Sequence, residues 1–258
     1  MPRRDRQQRA LRRPPGPPKK RILIVCEGKV TEREYLEAFK NWRKNPRVEI
    51  RIEGPAGVPV TLVKRAKALR DEAIALAERH DDQTYLYDEV WCVFDVDKFG
   101  ELIPAARDEA QANGLKLAMS NPCIELWLIL HLRDNPGQHD HHKMQAIFCA
   151  LQPAVPEKHI DFAMLSPGYE EAFRRAKRLC DDATAQGEPC RNPTTEMYLL
   201  TDSIDEDGRA ARKAEADRRR AEEEADSRGK AKAAAERAHA QYDAESKAAD
   251  DEVKRSGE

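Results

Sequence analysis

"RILIVCEGKVTEREYL", residues 21–36, joins a run of apolar residues to a glutamate, a glycine and a charged segment. A short apolar run rich in Ile and Val predicts a strand that is buried on both faces. The residues that follow repeat apolar side chains at helical spacing, and we expect Thr31 and Glu34 to form a capping box at the start of this helix. The stretch therefore predicts a strand, a turn and a helix, with the strand ending on Glu27.

The middle of the chain continues this alternation of strands and helices. Further strands are expected at residues 47–53, 88–97 and 115–120, and helices at 59–80, 101–114 and 123–132, the last with Pro122 in its first turn. Such alternation with short connections is typical of an α/β fold, in which helices cover both faces of a parallel sheet. Residues from about 141 to 185 are predicted to be helical only and to form a helical appendage on this sheet.

Both ends of the 258-residue chain differ in composition from the middle. Residues 1–20 contain eight Arg or Lys and a Pro-rich run, and we interpret them as a basic disordered arm. Residues 206–258 contain 13 Arg or Lys and 15 Asp or Glu but no Leu, Ile, Met, Phe or Trp, which predicts a solvated helix or a disordered tail. The predicted folded domain therefore covers residues 21–205.

The cysteines and the hydropathy indicate a reduced protein outside the membrane. Six cysteines occur with no C-x-x-C pair, and two of them lie within predicted buried strands. Reduced cysteines in a cytoplasmic protein explain this usage better than disulfides or a zinc site. No apolar run approaches the length that spans a bilayer, so we expect no membrane association.

Acidic residues follow two of the predicted strands. Glu27 closes the first strand, while Asp95 and Asp97 close the strand "WCVFDVD". Ligands of open parallel sheets bind at the carboxyl ends of the strands, and alternate residues of an extended segment point the same way. If the two strands are neighbours, three carboxylates meet at one edge, where they would bind Mg²⁺ or Mn²⁺. A D-x-D alone also fits a simple turn, or a phosphatase, although the Thr expected after the second Asp of a phosphatase is missing.

The joint pattern of strand-Glu-Gly-x-x-Thr-Glu and a later strand-Asp-x-Asp resembles Toprim domains. Within residues 20–205, four blocks are similar in content and order to the RloB family: "VCEGKVTEREYLEAF", "VWCVFDVDKFG", "AMSNPCIELWLILHL" and "RNPTTEMYLLTDSI". The resemblance implies a Toprim-type nuclease of bacterial defence loci, often encoded beside an OLD-type ATPase. It further implies that Glu27 acts as a general acid/base or metal ligand, with Asp95 and Asp97 as metal ligands.

Two further glutamates are candidate ligands. Glu125 lies in the apolar run "CIELWLIL", where a carboxylate needs a metal or a basic partner because burying a bare charge is costly. We include it among the predicted metal ligands. Glu32 either holds a metal or stabilises the N-terminus of the first helix.

Four residues are candidates for contact with a substrate. Gly28 would let the backbone pass close to it, and Lys98 and Lys158 would neutralise the charge of the transition state. Asn121 follows a predicted strand and so lies at the same edge of the sheet. A turn glycine and surface lysines are the alternative interpretations.

Two other features are open to two interpretations each. Trp127 and His131 share one helix face and either pack in the core or contact a base or reactant. A basic face formed by Arg174, Arg175, Lys177 and Arg178 is either solvated or contacts a phosphate backbone.

Two classes of function follow from these features. The first is a Mg²⁺-dependent nuclease that cleaves DNA or RNA together with a partner ATPase. The second is a non-catalytic effector that binds the ATPase through its helices and uses the acids only for structure. Self-association into a homo-oligomer is left open by the sequence.

We expect both ends of the chain to be dispensable for folding, because they lack the apolar residues to join a core. A chain truncated to residues 20–205 should melt within a few degrees of the full-length protein in a thermal melt. A much larger drop would show that the Ala/Glu/Arg-rich tail contributes to the folded domain.

Overall fold

The computed structural model describes residues 20–52, 58–205 and 216–230, apart from the side chains of Ile52, Asp97 and Lys98. Its strands are β1 (Ile22–Cys26), β2 (Val48–Ile52), β3 (Glu89–Asp95), β4 (Lys116–Asn121) and β5 (Thr194–Thr195). Its helices are α1 (Thr31–Trp42), α2 (Pro59–His80), α3 (Ile103–Ala112), α4 (Glu125–Leu132), α5 (His141–Leu151), α6 (Phe162–Leu165), α7 (Tyr169–Ala185) and α8 (Met197–Ile204). Short 3-10 helices cover Gln83–Tyr85, Asp97–Leu102 and Ser166–Gly168.

The strands form one sheet in the order β2-β1-β3-β4-β5. The first four are parallel, whereas β5 pairs with β4 in the antiparallel direction through Ser120–Thr195 and Asn121–Thr194. The predicted α/β class with a largely parallel sheet is therefore confirmed. The short antiparallel strand was not expected, because two residues carry no detectable periodicity.

Helices cover both faces of the sheet. Side chains of β1 alternate between two cores: Ile22, Ile24 and Cys26 face one, and Leu23 and Val25 face the other. The first core is completed by helices α1, α4, α5, α7 and α8, and the second by α2 and α3. A strand whose two faces are both buried explains the uninterrupted apolar run in the sequence. The predicted helical appendage is part of this layer, since α5 and α7 pack against α4.

Two details at helix starts differ from the sequence prediction. Val30 precedes α1 and no side chain caps the helix, so the expected capping box of Thr31 and Glu34 is wrong. Both side chains bind a segment more than a hundred residues away instead. Pro122 does not lie in the first turn of α4, because the helix begins at Glu125.

The chain divides into two units, residues 1–206 and 207–258, and the second of these is described only in part. Residues 216–230 form an exposed helix, in which Asp226 and Lys230, four residues apart, make an ion pair. The predictions for residues 1–19, 206–215 and 231–258 lie outside the described residues. None of the described helices is both long and apolar enough to cross a membrane.

Glu89, at the amino end of β3, binds four side chains from different parts of the chain. One carboxylate oxygen accepts from Lys20 and Lys116, each at 2.9 Å, and the other accepts from Trp91 Nε1 at 2.8 Å and from the Ser203 hydroxyl. Burial alone would raise the pKa of Glu89, but these donors lower it to about 2. The carboxylate is therefore a fully satisfied structural group.

We expect Glu89→Gln to destabilise the protein by roughly 2 kcal/mol at neutral pH, allowing for solvent screening at the two partly exposed lysines. Because the folded pKa is depressed, the stabilisation by Glu89 is complete above pH 4.5 and is lost as the pH falls towards about 2. Urea unfolding at a series of pH values measures this effect.

The matched control is Glu72→Gln, which removes a surface ion pair with Arg65. It should change the free energy of unfolding by less than 1 kcal/mol, as is usual for exposed pairs. Equal effects of the two substitutions would contradict the structural role of Glu89.

Candidate functional site: an acidic edge of the sheet

Two of the predicted acids lie at the carboxyl ends of neighbouring strands. Asp95 is the last residue of β3, and Glu27 follows β1 directly. These strands pair in parallel, with Cys26 opposite Val93, and the Glu27 N–H donates to the Val93 carbonyl at 3.3 Å. The strand order therefore brings Glu27 and Asp95 to one edge, as the site prediction requires.

Asp97 is placed differently from the prediction. Strand β3 ends at Asp95, Val96 has right-handed helical dihedral angles, and Asp97 begins a 3-10 helix. The turn closes through a hydrogen bond from the Phe99 N–H to the Val96 carbonyl at 2.7 Å. The expectation that Asp95 and Asp97 share one extended segment is therefore wrong. The side chains of Asp97 and Lys98 lie outside the described part of the structure.

Glu32 comes from the first turn of α1 and is only 8% exposed. A Cβ atom added to Gly28 would overlap the Glu32 carboxylate, so the space beside this glycine is filled by the acid. Gly28 thus makes room for Glu32, in addition to any role near a substrate. The spacing of four residues between Gly28 and Glu32 in "GKVTE" is the only sequence signal for this contact, and it is too common to interpret alone.

Glu125 lies in the first turn of α4 and is 6% exposed. Its Oε2 atom is buried and has no hydrogen-bond partner among the described residues. Just before it, the Ile124 N–H donates to the Asp95 carboxylate. The start of α4 therefore supplies one acid to the edge and steadies another.

The four described acids act on one another electrostatically. The pKa of Asp95 is raised well above its ordinary value, first by burial and then by the charges of Glu32, Glu125 and Glu27. Burial, together with Glu125 and Glu27, raises the pKa of Glu32 to about 7, and burial raises that of Glu27. Without a cation, Asp95 and Glu32 therefore favour bound protons, because burial and neighbouring negative charges disfavour their ionised forms.

This set of donors suits a hard divalent cation. All four groups are carboxylates, and carboxylate oxygens are preferred ligands of Mg²⁺ and Mn²⁺. One buried carboxylate oxygen, Oε2 of Glu125, has no hydrogen-bond partner among the described residues and could coordinate such an ion. Within the described residues, however, no three acidic, His or Cys side chains are close enough to hold one ion as they stand.

Lys158 reaches the acidic edge from the segment between α5 and α6. It lines a small cavity with Thr31, Glu125, Glu157 and three residues of α5 (Gln145, Phe148 and Cys149). The volume of this cavity is about 10 Å³, which is enough for about one water molecule. Sequence separation gave no hint that Lys158 and Glu125 line the same cavity.

Asn121 ends β4 and donates its side-chain amide to the Cys190 carbonyl at 2.7 Å. It also lines an open cleft of about 530 Å³ together with Val96, Arg107 and Arg191. The contact with Cys190 anchors the loop before β5, and the predicted substrate contact of Asn121 stays a prediction.

The two features left open by the sequence are structural in this molecule. Trp127 is fully buried, and His131 packs beside it, with its pKa lowered to about 4 by burial. On the basic face of α7, each cation pairs with a carboxylate: Arg174 with Glu171, Arg175 and Arg178 with Asp134, and Lys177 with Asp181. These pairs favour the solvated interpretation over phosphate contact.

The fold and the site together define a class of protein. A mostly parallel sheet surrounded by helices, with acids at the carboxyl ends of adjacent strands, is consistent with a Toprim-like fold. The family model described as RloB-like protein matches residues 22–204, and the chain belongs to this family. Comparison with curated proteins and with solved structures finds no match.

We expect Gly28→Ala to destabilise the protein by about 1–3 kcal/mol, because the added methyl overlaps Glu32 in a packed region. Gly100→Ala is the matched control, since nothing lies within 4 Å of a Cβ at that position. Urea unfolding should place the control close to the wild type.

A double-mutant cycle identifies the contact responsible. The effect of Gly28→Ala should largely disappear when it is introduced into a Glu32→Ala background. A full loss of stability in that background would mean that the methyl group overlaps something other than Glu32.

Proposed function

We propose that this protein is a metal-dependent nuclease that hydrolyses phosphodiester bonds of DNA or RNA. The observation that carries the proposal is the group of acids at the carboxyl edge of the sheet, where burial and neighbouring carboxylates raise the pKa values of Asp95 and Glu32. A purely structural acid, such as Glu89, is surrounded by donors and has a lowered pKa. Perturbed acids without such donors are typical of functional sites.

The acids would hold Mg²⁺ or Mn²⁺, with Glu27, Asp95, Asp97 and Glu125 as the ligands and Glu32 beside them. The bound metal would polarise the scissile phosphate and lower the pKa of an attacking water. Glu27 is less buried than Glu32 and Glu125, and it would act as general base or orient the water. Burial of Glu32 and Asp95 would fix the geometry of the remaining ligands.

Cationic and polar groups around the acids would bind the nucleic acid. Lys158 and Lys98 would contact phosphate oxygens, while Asn121 and the backbone at Gly28 would lie along the substrate. These contacts are consistent with the positions of Lys158 and Asn121 near the edge of the sheet.

The biological setting is inferred from the family. We place the protein in the cytoplasm as an effector of antiviral defence by abortive infection, working with an OLD-type ATPase. The alternative is a non-catalytic adaptor that binds the ATPase. The two functions differ in whether the acids are needed.

We expect the double variant Asp95→Asn, Asp97→Asn to lose most of the stabilisation that millimolar Mn²⁺ gives the wild type. A ligand that binds only the folded state raises its stability by mass action, and Asn removes the charge that attracts a hard cation. Thermal melts with and without Mn²⁺ measure this shift. Asp71→Asn, at an exposed ion pair with Lys67, is the control and should keep the wild-type shift.

Without metal, the same double variant should be at least as stable as the wild type near pH 8. A raised pKa means that the folded state binds protons more tightly, so each such acid lowers stability as the pH rises through the folded value. For Glu32 this window runs from 4.5 to about 7, and the same sign applies to Asp95.

Nuclease assays with the partner ATPase complete the test. Cleavage should fall by several orders of magnitude in the double variant and remain in Asp71→Asn. A double variant that retains both the metal shift and the cleavage would reject the carboxylate site and favour the adaptor.

A further inference from the structure

Lys158 has an unusual backbone conformation. Its φ angle is 68°, in the left-handed region, although it is not a glycine. Such a conformation costs roughly 1–2 kcal/mol for a residue with a Cβ atom and persists where surrounding contacts hold it. The contacts that hold Lys158 in this conformation therefore bear on the role of the residue.

Three hydrogen bonds join this segment to the first turn of α1, and we call them the clasp. Thr31 Oγ1 donates to the Lys158 carbonyl at 2.9 Å. His159 Nδ1 donates to Glu34 Oε1 at 2.6 Å, and the Ile160 N–H donates to Glu34 Oε2 at 3.2 Å. The same helical turn carries Glu32, so one short element fixes both an acid of the site and the lysine segment.

The clasp places Lys158 at the wall of the cavity that Glu125 also lines. The unpartnered and buried Oε2 atom of Glu125 marks this region as a place for a ligand. Lys158 itself is exposed, and within the described part of the chain its ammonium group has no carboxylate partner. A cation that is held beside acids and remains unpaired is available to a phosphate group.

We propose that Thr31 and Glu34 are positioning residues that hold Lys158 beside the acidic edge, where its ammonium group binds a phosphate of the nucleic acid. The inference rests on the proposed nuclease function and adds how the substrate is oriented. A phosphate brought to several carboxylates needs cations on its other side, and Lys158 supplies one from the protein. The backbone conformation follows from this task, because the clasp holds the lysine in a region it would otherwise avoid.

The first test separates the lysine side chain from its backbone. Lys158→Gly removes the ammonium group while adopting the left-handed conformation freely. Lys44→Gly is the matched control, because Lys44 is another exposed lysine with positive φ, beyond the far end of α1. The probe is a short fluorescein-labelled single strand, as DNA and as RNA, with Ca²⁺ replacing Mg²⁺ to limit cleavage.

We expect Lys158→Gly to weaken binding of the oligonucleotide about tenfold, the loss of one charge-assisted hydrogen bond. Lys44→Gly should bind as the wild type does, and neither variant should lower the melting temperature. If Lys158→Gly binds the oligonucleotide as tightly as the wild type does, the inference is wrong. If the Mn²⁺-induced shift in melting temperature is intact in that case, the proposed function still stands. The inference is also wrong if the wild type binds neither the DNA nor the RNA strand. If the wild type in addition shows no Mn²⁺-induced shift, the inference and the proposed function are both rejected.

The second test asks whether the clasp acts through Lys158. Thr31→Val removes the hydroxyl donor without changing side-chain shape, and Thr31→Ser restores the donor. We expect the first to weaken binding several-fold, the second to recover it, and Glu34→Ala to behave like Thr31→Val. In a Lys158→Gly background, Thr31→Val should cause no further loss. An equal loss in both backgrounds would show that Thr31 supports the fold only and would overturn its role in positioning Lys158.

Discussion

Mutual repulsion of buried carboxylates at one edge of the sheet is the constraint on which the rest of the structure depends. The acids there follow β1 or belong to α1, β3 and α4, and the charges of Glu27 and Glu125 raise the pKa values of both Glu32 and Asp95. Such an arrangement is unfavourable in a metal-free protein and has to be stabilised by the remainder of the fold. Two apolar cores, one on each face of the sheet, provide that stabilisation.

Strand β3 has an acid at each end, and the surroundings shift the pKa values of these two acids in opposite directions. At its amino end, Glu89 is surrounded by donors from Lys20, Lys116, Trp91 and Ser203, which keep it ionised. At its carboxyl end, Asp95 faces other carboxylates and receives a backbone N–H from Ile124. The strand is the same, so the difference arises from the chain segments that the topology brings to each end. The amino end therefore stabilises a charged carboxylate, whereas the carboxyl end disfavours one in the absence of a cation.

Local patterns in the sequence were sufficient for most of the fold. The apolar run before Glu27 and the helix 59–80 are recognisable because their periodicity lies within one element. Glu27 and Asp95 could be assigned to one edge because parallel strands end on the same side of a sheet. The failures have a common cause: Thr31 and Glu34 bind a distant segment, and Glu32 occupies the space beside Gly28. Contacts of this kind depend on tertiary packing, which a single sequence does not encode in any regular spacing.

The position of Asp97 shows why a short acidic motif is a weak guide to geometry. The sequence D-x-D suggested two parallel carboxylates, but the strand ends after the first one and the second enters a 3-10 helix. Because the strand ends at Asp95, the regular alternation of side chains along an extended segment does not continue to Asp97. Ligand sets for divalent cations require donors from several directions, which one extended segment cannot supply. A D-x-D motif alone therefore does not establish the directions in which its two carboxylates point.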